Sequence, residues 1–356
     1  MATDDASELA QNIEDARQRL WRKRMIRRGL YVTAFLTIVY LTYFVFLDFL
    51  GFNFADLTTP RAQREFSRFV GGLLPPNFED LTTYTKENEI KGFAALSTTL
   101  FTWEFGMLWG IIPGVWPTHI MDTLAQATAG NGNVIISAAY TTVAAGFTGT
   151  VLGFPFALLF GVLGSERVIP FPFNFIFRGT MSTIRAIPAI VWLLIYIPIL
   201  GISPATGVLA ITTDTVGNLG RLFTDELEEI DDGPIEAIRS TGGNRAQVVI
   251  FGMLSQVTNS FIAWTLYILE INTRIAITLG VLGVGGLGMY IDGRLGLLEY
   301  PTAAAGIVAV IVIVLSIELV SSRIRAYLRP GEQEKRGFVG ALLDLFNPGK
   351  WLGMSR

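Results

Sequence analysis

The chain has 356 residues, of which 51% are hydrophobic and only 16% are charged. Soluble domains carry about 25% charged residues, so the composition points to a membrane protein. A net charge of -3 offers no basic surface for nucleic acid, and the absence of Cys excludes disulfides, thiolate metal sites and a Cys nucleophile.

Residues 1–28 are polar and end in the basic run Trp21-Arg22-Lys23-Arg24-Met25-Ile26-Arg27-Arg28. Leu9, Ile13, Ala16 and Leu20 recur at helical spacing, which predicts an amphipathic helix along the inner membrane surface. The basic cluster places this end in the cytoplasm by the positive-inside rule. The apolar run that follows is too long for a signal-peptide core and reads as a retained first span, Leu30 to Leu50, within 29–52.

A mixed insert, 53–133, comes next and is expected on the extracytoplasmic side. Within it, Ala94 to Trp116 is apolar apart from Glu104 and reads as interfacial or packed on the bundle rather than spanning. The single His, His119, cannot form a His cluster and reads as structural or interfacial. Five further spans are expected: Val134–Leu163, Thr183–Leu200, Ala205–Leu222, Phe251 to about Ile277, and Pro301–Val320, each long enough to cross a bilayer as a helix. The fold class is therefore all-α, a polytopic protein with six transmembrane helices and a core at 134–328. Arg329-Pro330-Gly331 ends the last helix, and the tail 329–356 holds a short apolar segment, 338–346, expected at the interface.

Six spans that start inside return both the tail and the loop 225–247 to the cytoplasm. In that loop Gly233-Pro234 opens a short helix, with Pro where its missing N–H costs nothing. Gly242-Gly243 permit a sharp turn into a second short helix. Such a helix-turn-helix knob suits a groove on a soluble partner.

The fifth span carries Glu270-Ile271-Asn272-Thr273-Arg274, followed by a glycine-rich run, Leu279 to Gly288. Charges inside a span are costly and face partners or a pathway. Glu270 and Arg274, spaced i, i+4, can pair on one helix face as a structural lock. Alternatively Arg274 or Asn272 contributes to an anion path. An anion in a low-dielectric path needs donors or positive charge, for which Arg185, Asn272 and Arg274 are candidates, with hydroxyls from Ser182, Thr183 and Thr273. Pro188 within the third span is expected to kink it. The glycine run, with Gly285 and Gly286, follows a span and not a strand, so it reads as close packing or a gate rather than a dinucleotide fingerprint.

A Gly-x4-Gly-Lys-Ser/Thr phosphate loop is absent, and the apolar segments hold no Ser/His/Asp set, metal-ligand pair or paired carboxylates. The chain is therefore read as no enzyme, with no cofactor and no metal.

Glu236, Ala237, Gly242 and Leu254 sit at the offsets of the coupling loop of ABC importer permeases, a Glu-Ala-Ala, three residues, Gly, then nine residues before Ile-x-Leu-Pro. Ile238, Gly252 and Ser255 depart from that pattern. Together with Glu270–Arg274, the run to Gly288 and Arg185-Ala186-Ile187-Pro188, the chain resembles the permease subunit of phosphonate importers from about Ala138 to Arg329. The resemblance implies a multi-pass protein of the cell (inner) membrane with both termini cytoplasmic. It implies a homodimer of this chain, two ATPase subunits, an extracytoplasmic substrate-binding protein and contact with membrane lipid. It also implies coupling through Glu236, Ala237, Ile238, Gly242, Gly243 and Leu254, and a pathway or gate at Arg185, Pro188, Glu270, Asn272, Arg274, Gly285 and Gly286. The implied cargo is a phosphonate, phosphite or phosphate. An ABC permease for another small solute and an ion-gradient-driven secondary transporter stay open as alternatives.

Overall fold

The computed structural model describes residues 2–46, 49–51, 53–101 and 134–328, and among these there are helices and no strands. Of the apolar segment 94–116 only the part up to Phe101 is described. The remainder, His119 and the tail 329–356 lie outside the described residues. The chain divides into two compact units, Met1–Gly71 and Gly72–Arg356.

In the first unit, α1 (Ala2–Tyr40) continues into a π-helical stretch, Leu41–Phe46. The expected surface helix and first span are thus one helix with no break near residue 28. No helix breaker stands between them: the basic run has good helix formers and neither Gly nor Pro before Gly29. Trp21, Ile26, Leu30, Phe35 and Ile38 are all exposed, as a helix surrounded by lipid requires. α2 (Pro60–Leu73) is amphipathic, with Arg61, Arg64 and Arg68 on one side and Phe66, Phe69 and Val70 on the other.

The second unit holds α3 (Phe93–Phe101), α4 (Ile135–Gly164), α5 (Phe173–Ala186), α6 (Ala189–Leu200), α7 (Pro204–Glu229), α8 (Asp232–Ser240), α9 (Ser255–Leu279), α10 (Gly286–Gly296) and α11 (Tyr300–Leu328). α4 is the axis. Its buried stripe Gly146, Gly149, Gly153, Ala157, Gly161 and Gly164 has helical spacing. A Cβ at Gly149 would lie 2.4 Å from Ile211, one at Gly153 2.7 Å from Thr215, and one at Gly161 2.7 Å from Phe223. α7 therefore lies directly against α4, which is how small residues bring helices together where lipid removes the hydrophobic drive. Farther along, Phe223 of α7 stacks on Phe261 of α9 with centroids 4.0 Å apart.

Among the described residues four helices are long and apolar enough to cross a membrane: Leu20–Val45, Ile135–Gly164, Arg245–Val284 and Tyr300–Ala326. α5 and α6, bent by 90° at their junction, make a fifth if they form one span. α7 has the length but not the apolar composition, because it is buried among its neighbours (Ile211, Thr215 and Leu219 are wholly buried) and presents little surface to lipid. The expected continuous span Thr183–Leu200 is instead two helices. Pro188 stands between them and not inside one, with Ile187 held in extended backbone (φ -102°, ψ 112°), as a following proline favours.

Part of the insert packs into this unit. Phe78 and Ala95 share an apolar cluster with Ile135, Ala138, Leu287, Tyr290 and Ala305. The Ile135 N–H donates to the Asp80 carbonyl at 2.7 Å and Tyr290 Oη donates to the Asp80 carboxylate at 3.0 Å. Asp80 also pairs with Arg294. Burial, then the Asp80 charge, pushes the Tyr290 phenol above its usual range. At the start of α10 the Thr142 hydroxyl accepts from the Leu287 N–H at 2.9 Å, capping the helix from a neighbouring one. Thr142→Val is expected to lower stability by about 1 kcal/mol, the usual value of a lost N-terminal cap. Thermal melting in detergent checks this, with Thr141→Val as the silent control.

Candidate coupling loop and polar core

The 231–254 segment is built by local rules. α8 ends in a Schellman turn: Gly242 N–H donates to the Arg239 carbonyl at 3.0 Å and Gly243 N–H to the Ile238 carbonyl at 3.2 Å. Gly242 has φ +83°, a conformation that suits glycine, and a Cβ at Gly243 would lie 2.8 Å from Ile238 Cγ2. A capping box restarts the helix: Asn244 N–H donates to Gln247 Oε1 at 2.8 Å and Gln247 N–H to Asn244 Oδ1 at 2.9 Å. The chain then continues through a π-helical stretch, Val248–Leu254, into α9 without interruption at Ser255.

One side of this knob is fixed to the bundle. Ile235 is buried in a cluster with Leu227, Ile230, Val248, Met253 and Val257, and Ile238 and Leu254 pack on it. Gly252 lies beneath α8, where a Cβ would meet Ile238 at 3.3 Å. Its departure from the larger Ile of the coupling-loop pattern thus makes room for α8. The other side is open: Glu236, Ala237 and Gly242 are exposed, with Arg239 and Arg245 beside them. Of the residues expected to couple, Leu254 and Ile238 therefore belong to the base and Glu236, Ala237 and Gly242 to the free face.

The residues expected in a pathway fall into separate groups. Asn272 is buried, and its Nδ2 donates to Thr150 Oγ1 of α4 and Thr215 Oγ1 of α7, both at 2.8 Å. Each threonine in turn donates to a carbonyl of its own helix, Gly146 or Ile211. The Asn272 Oδ1 has no partner. Thr273 donates to the Leu269 carbonyl, and its backbone fills the space left by Gly146. Glu270 and Arg274 do pair, at 2.5 Å, and the structure adds Arg325 (3.6 Å from Glu270) and Glu318 (3.7 Å from Arg274) from α11. Asn272 thus faces α4 and α7, whereas Glu270 and Arg274 face α11. Arg185, with Ser182 and Thr183, is exposed near the end of α5.

Gly285 and Gly286 have φ +105° and +80° and form the turn into α10. The turn is dense: a Cβ at Gly280 would lie 2.6 Å from the Gly285 carbonyl, and one at Gly286 2.5 Å from Thr142 Oγ1. Sequence reasoning missed a cluster beside the knob, in which Arg167 and Arg178 engage Asp232, Glu166 and Glu228. Its members are far apart in sequence and carry no motif.

No family model matches the chain. It is 32% identical over 230 residues to a phosphate-import permease protein, PhnE, of Mycolicibacterium smegmatis, an alignment that takes in 64% of this chain and spans 42% of that relative's length. It is 29% identical over 228 residues to a putative phosphite transport system permease protein, HtxC, of Stutzerimonas stutzeri, covering 64% of this chain and 78% of the relative. A putative cryptic phosphonate transport system permease protein, PhnE2, of Escherichia coli is matched over 98% of its length and 33% of this chain at 34% identity. Among solved structures, an inward-facing MetNI methionine ABC transporter has a chain with the same fold, at TM-score 0.50 and 23% identity, over 55% of this chain and 96% of that one. With its all-helical, multi-pass fold, the chain belongs to the family of phosphonate-type transport system permease proteins.

Proposed function

We propose that this chain is the translocation subunit of an ATP-driven importer for small phosphorus oxyanions: phosphonate, phosphite or phosphate. It works by alternating access as a homodimer in the cell membrane, with two ATPase subunits and an external binding protein. The observation that carries this reading is the knob at α8: a rigid turn with Ile235 sunk in the bundle and Glu236, Ala237 and Gly242 left free. A surface of that kind can be gripped by a soluble ATPase on the cytoplasmic side. ATP hydrolysis belongs to that partner, since the sequence has no phosphate-binding loop of its own. The relatives' named cargoes support the substrate class.

Arg185, Glu270 and Arg274 are assigned to the pathway or gate, and Pro188, Gly285 and Gly286 to the turns on which a gate would move. Asn272 is assigned to holding the bundle together, because its amide is spent on α4 and α7.

The test is ATP hydrolysis in liposomes by this chain with its ATPase and binding protein, adding methylphosphonate, phosphite or phosphate in turn. Stimulation by one of them identifies the cargo. A complex that assembles but answers to none moves the cargo elsewhere, and failure to assemble with the ATPase rejects the reading in favour of an ion-driven transporter. Glu236→Ala is expected to leave folding within about 0.5 kcal/mol, as for other exposed sites. It should lower ligand import per ATP by about tenfold or more, within the usual range for coupling between sites. Normal import would remove Glu236 from the coupling face. Arg274→Gln should abolish uptake while the complex still assembles.

A further inference from the structure

Arg178 sits two turns before Arg185 on α5, where three other elements meet. Its Nε donates to the Gly164 carbonyl at 2.8 Å, at the C-terminal end of α4, where a cation also complements the helix dipole. Its terminal nitrogens pair with Glu228 of α7 and approach Glu166 at 3.8 Å. Glu228 also accepts from the Glu166 N–H at 3.2 Å. The next residue, Arg167, donates to Asp232 Oδ1 at 2.7 Å, and Asp232 is the first residue of α8. The connection between α4 and α5 is therefore clamped between α5 on one side and the α7–α8 corner on the other.

α5 is also seated on α7 beyond the clamp. Met181, wholly buried, fills space that Gly164 and Gly220 leave, and Ile184 and the Arg185 backbone do the same at Gly217. Along α5 the sequence 178, 181, 184 thus meets 228, 220, 217 on α7, an antiparallel seam with almost no free volume. Packed elements of this kind shift as bodies and do not deform continuously. Three residues after Ile184 comes Ile187, at the 90° junction with α6.

We propose that Arg178 is a positioning residue that passes movement of the α8 knob to α5, and through it to the bend at Ile187-Pro188. The proposal rests on the coupling assignment of α8. Displacement of α8 pulls Arg167 through Asp232, and displacement of the end of α7 pulls Arg178 through Glu228. Both act on the same short connection. The guanidinium is suited to the task because its planar fork holds a carbonyl and a carboxylate at once, whereas an ammonium is a point charge.

Arg178→Lys and Arg167→Gln test this in liposomes containing the partner ATPase and the binding protein, with methylphosphonate, phosphite and phosphate as probes. Arg178→Lys is expected to assemble and hydrolyse ATP at the wild-type rate, with ligand imported per ATP reduced about tenfold and the KM for ligand unchanged. Arg167→Gln, at a more exposed pair, is expected to show the same defect at about threefold, toward the lower end of coupling effects. The pair Arg178→Glu with Glu228→Arg should recover part of the loss that each single reversal causes. Wild-type import per ATP in both Arg178→Lys and Arg167→Gln overturns the proposal. So does a parallel fall of import, hydrolysis and melting temperature in Arg178→Lys with Arg167→Gln normal, which is the signature of a structural role. If the coupling assignment itself is wrong, Glu236→Ala imports normally; if only this relay is wrong, Glu236→Ala is uncoupled while the arginine variants are not.

Discussion

Gly288→Ala is expected to remove most of the folded protein, and Gly288→Val all of it. A Cβ at this position would lie 1.9 Å from the Ile277 carbonyl oxygen and 2.8 Å from the Val281 nitrogen. Both are backbone atoms of the facing stretch, so no rotamer change relieves the overlap. Overpacking a well-packed site costs about 1–3 kcal/mol when side chains can yield, and here α9 and α10 must separate, so about 3 kcal/mol or more is expected. The control lies on the same helix. Gly293 has open space where its Cβ would be, so Gly293→Ala should be neutral or stabilise by up to about 1 kcal/mol, the helix-propensity difference. Membrane accumulation and detergent melting of the two variants read the difference. Comparable stability for Gly288→Ala and wild type would mean that the turn between Gly280 and Gly288 is loose enough to act as a flexible gate.

The second large effect is a contrast at Asn272. Asn272→Asp replaces a donor amide by a carboxylate facing Thr150 and Thr215, whose hydroxyl protons are already given to the Gly146 and Ile211 carbonyls. A buried charge without donors costs about 3–5 kcal/mol, or the group takes up a proton. Asn272→Leu, of similar volume, leaves both threonines bonded to their own helices and removes the unpartnered Oδ1, so the change should stay within about 1 kcal/mol. Thermal melting ranks the two variants, and uptake assigns the role. If Asn272 only joins helices, Asn272→Leu keeps transport; a folded Asn272→Leu without transport would return Asn272 to the anion path.

Much of the knob was legible because its rules are local. Gly233-Pro234, Gly242-Gly243 and the Glu270–Arg274 spacing each act within a few residues, and the structure forms a helix start, a Schellman turn and an ion pair there. The Asn244–Gln247 capping box is equally local. Reading Thr183–Leu200 as one continuous helix failed because hydropathy sums side chains and ignores that Pro188 denies the helix a donor and forces Ile187 extended. The separation of Asn272 from Arg274 was not legible, because it depends on which neighbours pack on each side of the helix: residues two apart point to different ones.

By itself the sequence determined that the chain is a helical membrane protein, where most spans lie, and that a polar helix-turn-helix loop sits between two of them. Hydrophobic runs, turn residues and charge placement act over short distances, so they can be read along a line. Only the tertiary structure decided that α7 is the buried partner of the α4 glycine stripe, that Asn272 ties α4, α7 and α9 together, and that Arg178 clamps Gly164 to Glu228. Apart from the Arg178–Gly164 bond, those contacts join residues 50 or more positions apart, and they exist only once helices have packed closely enough for backbone, glycine and buried polar groups to meet.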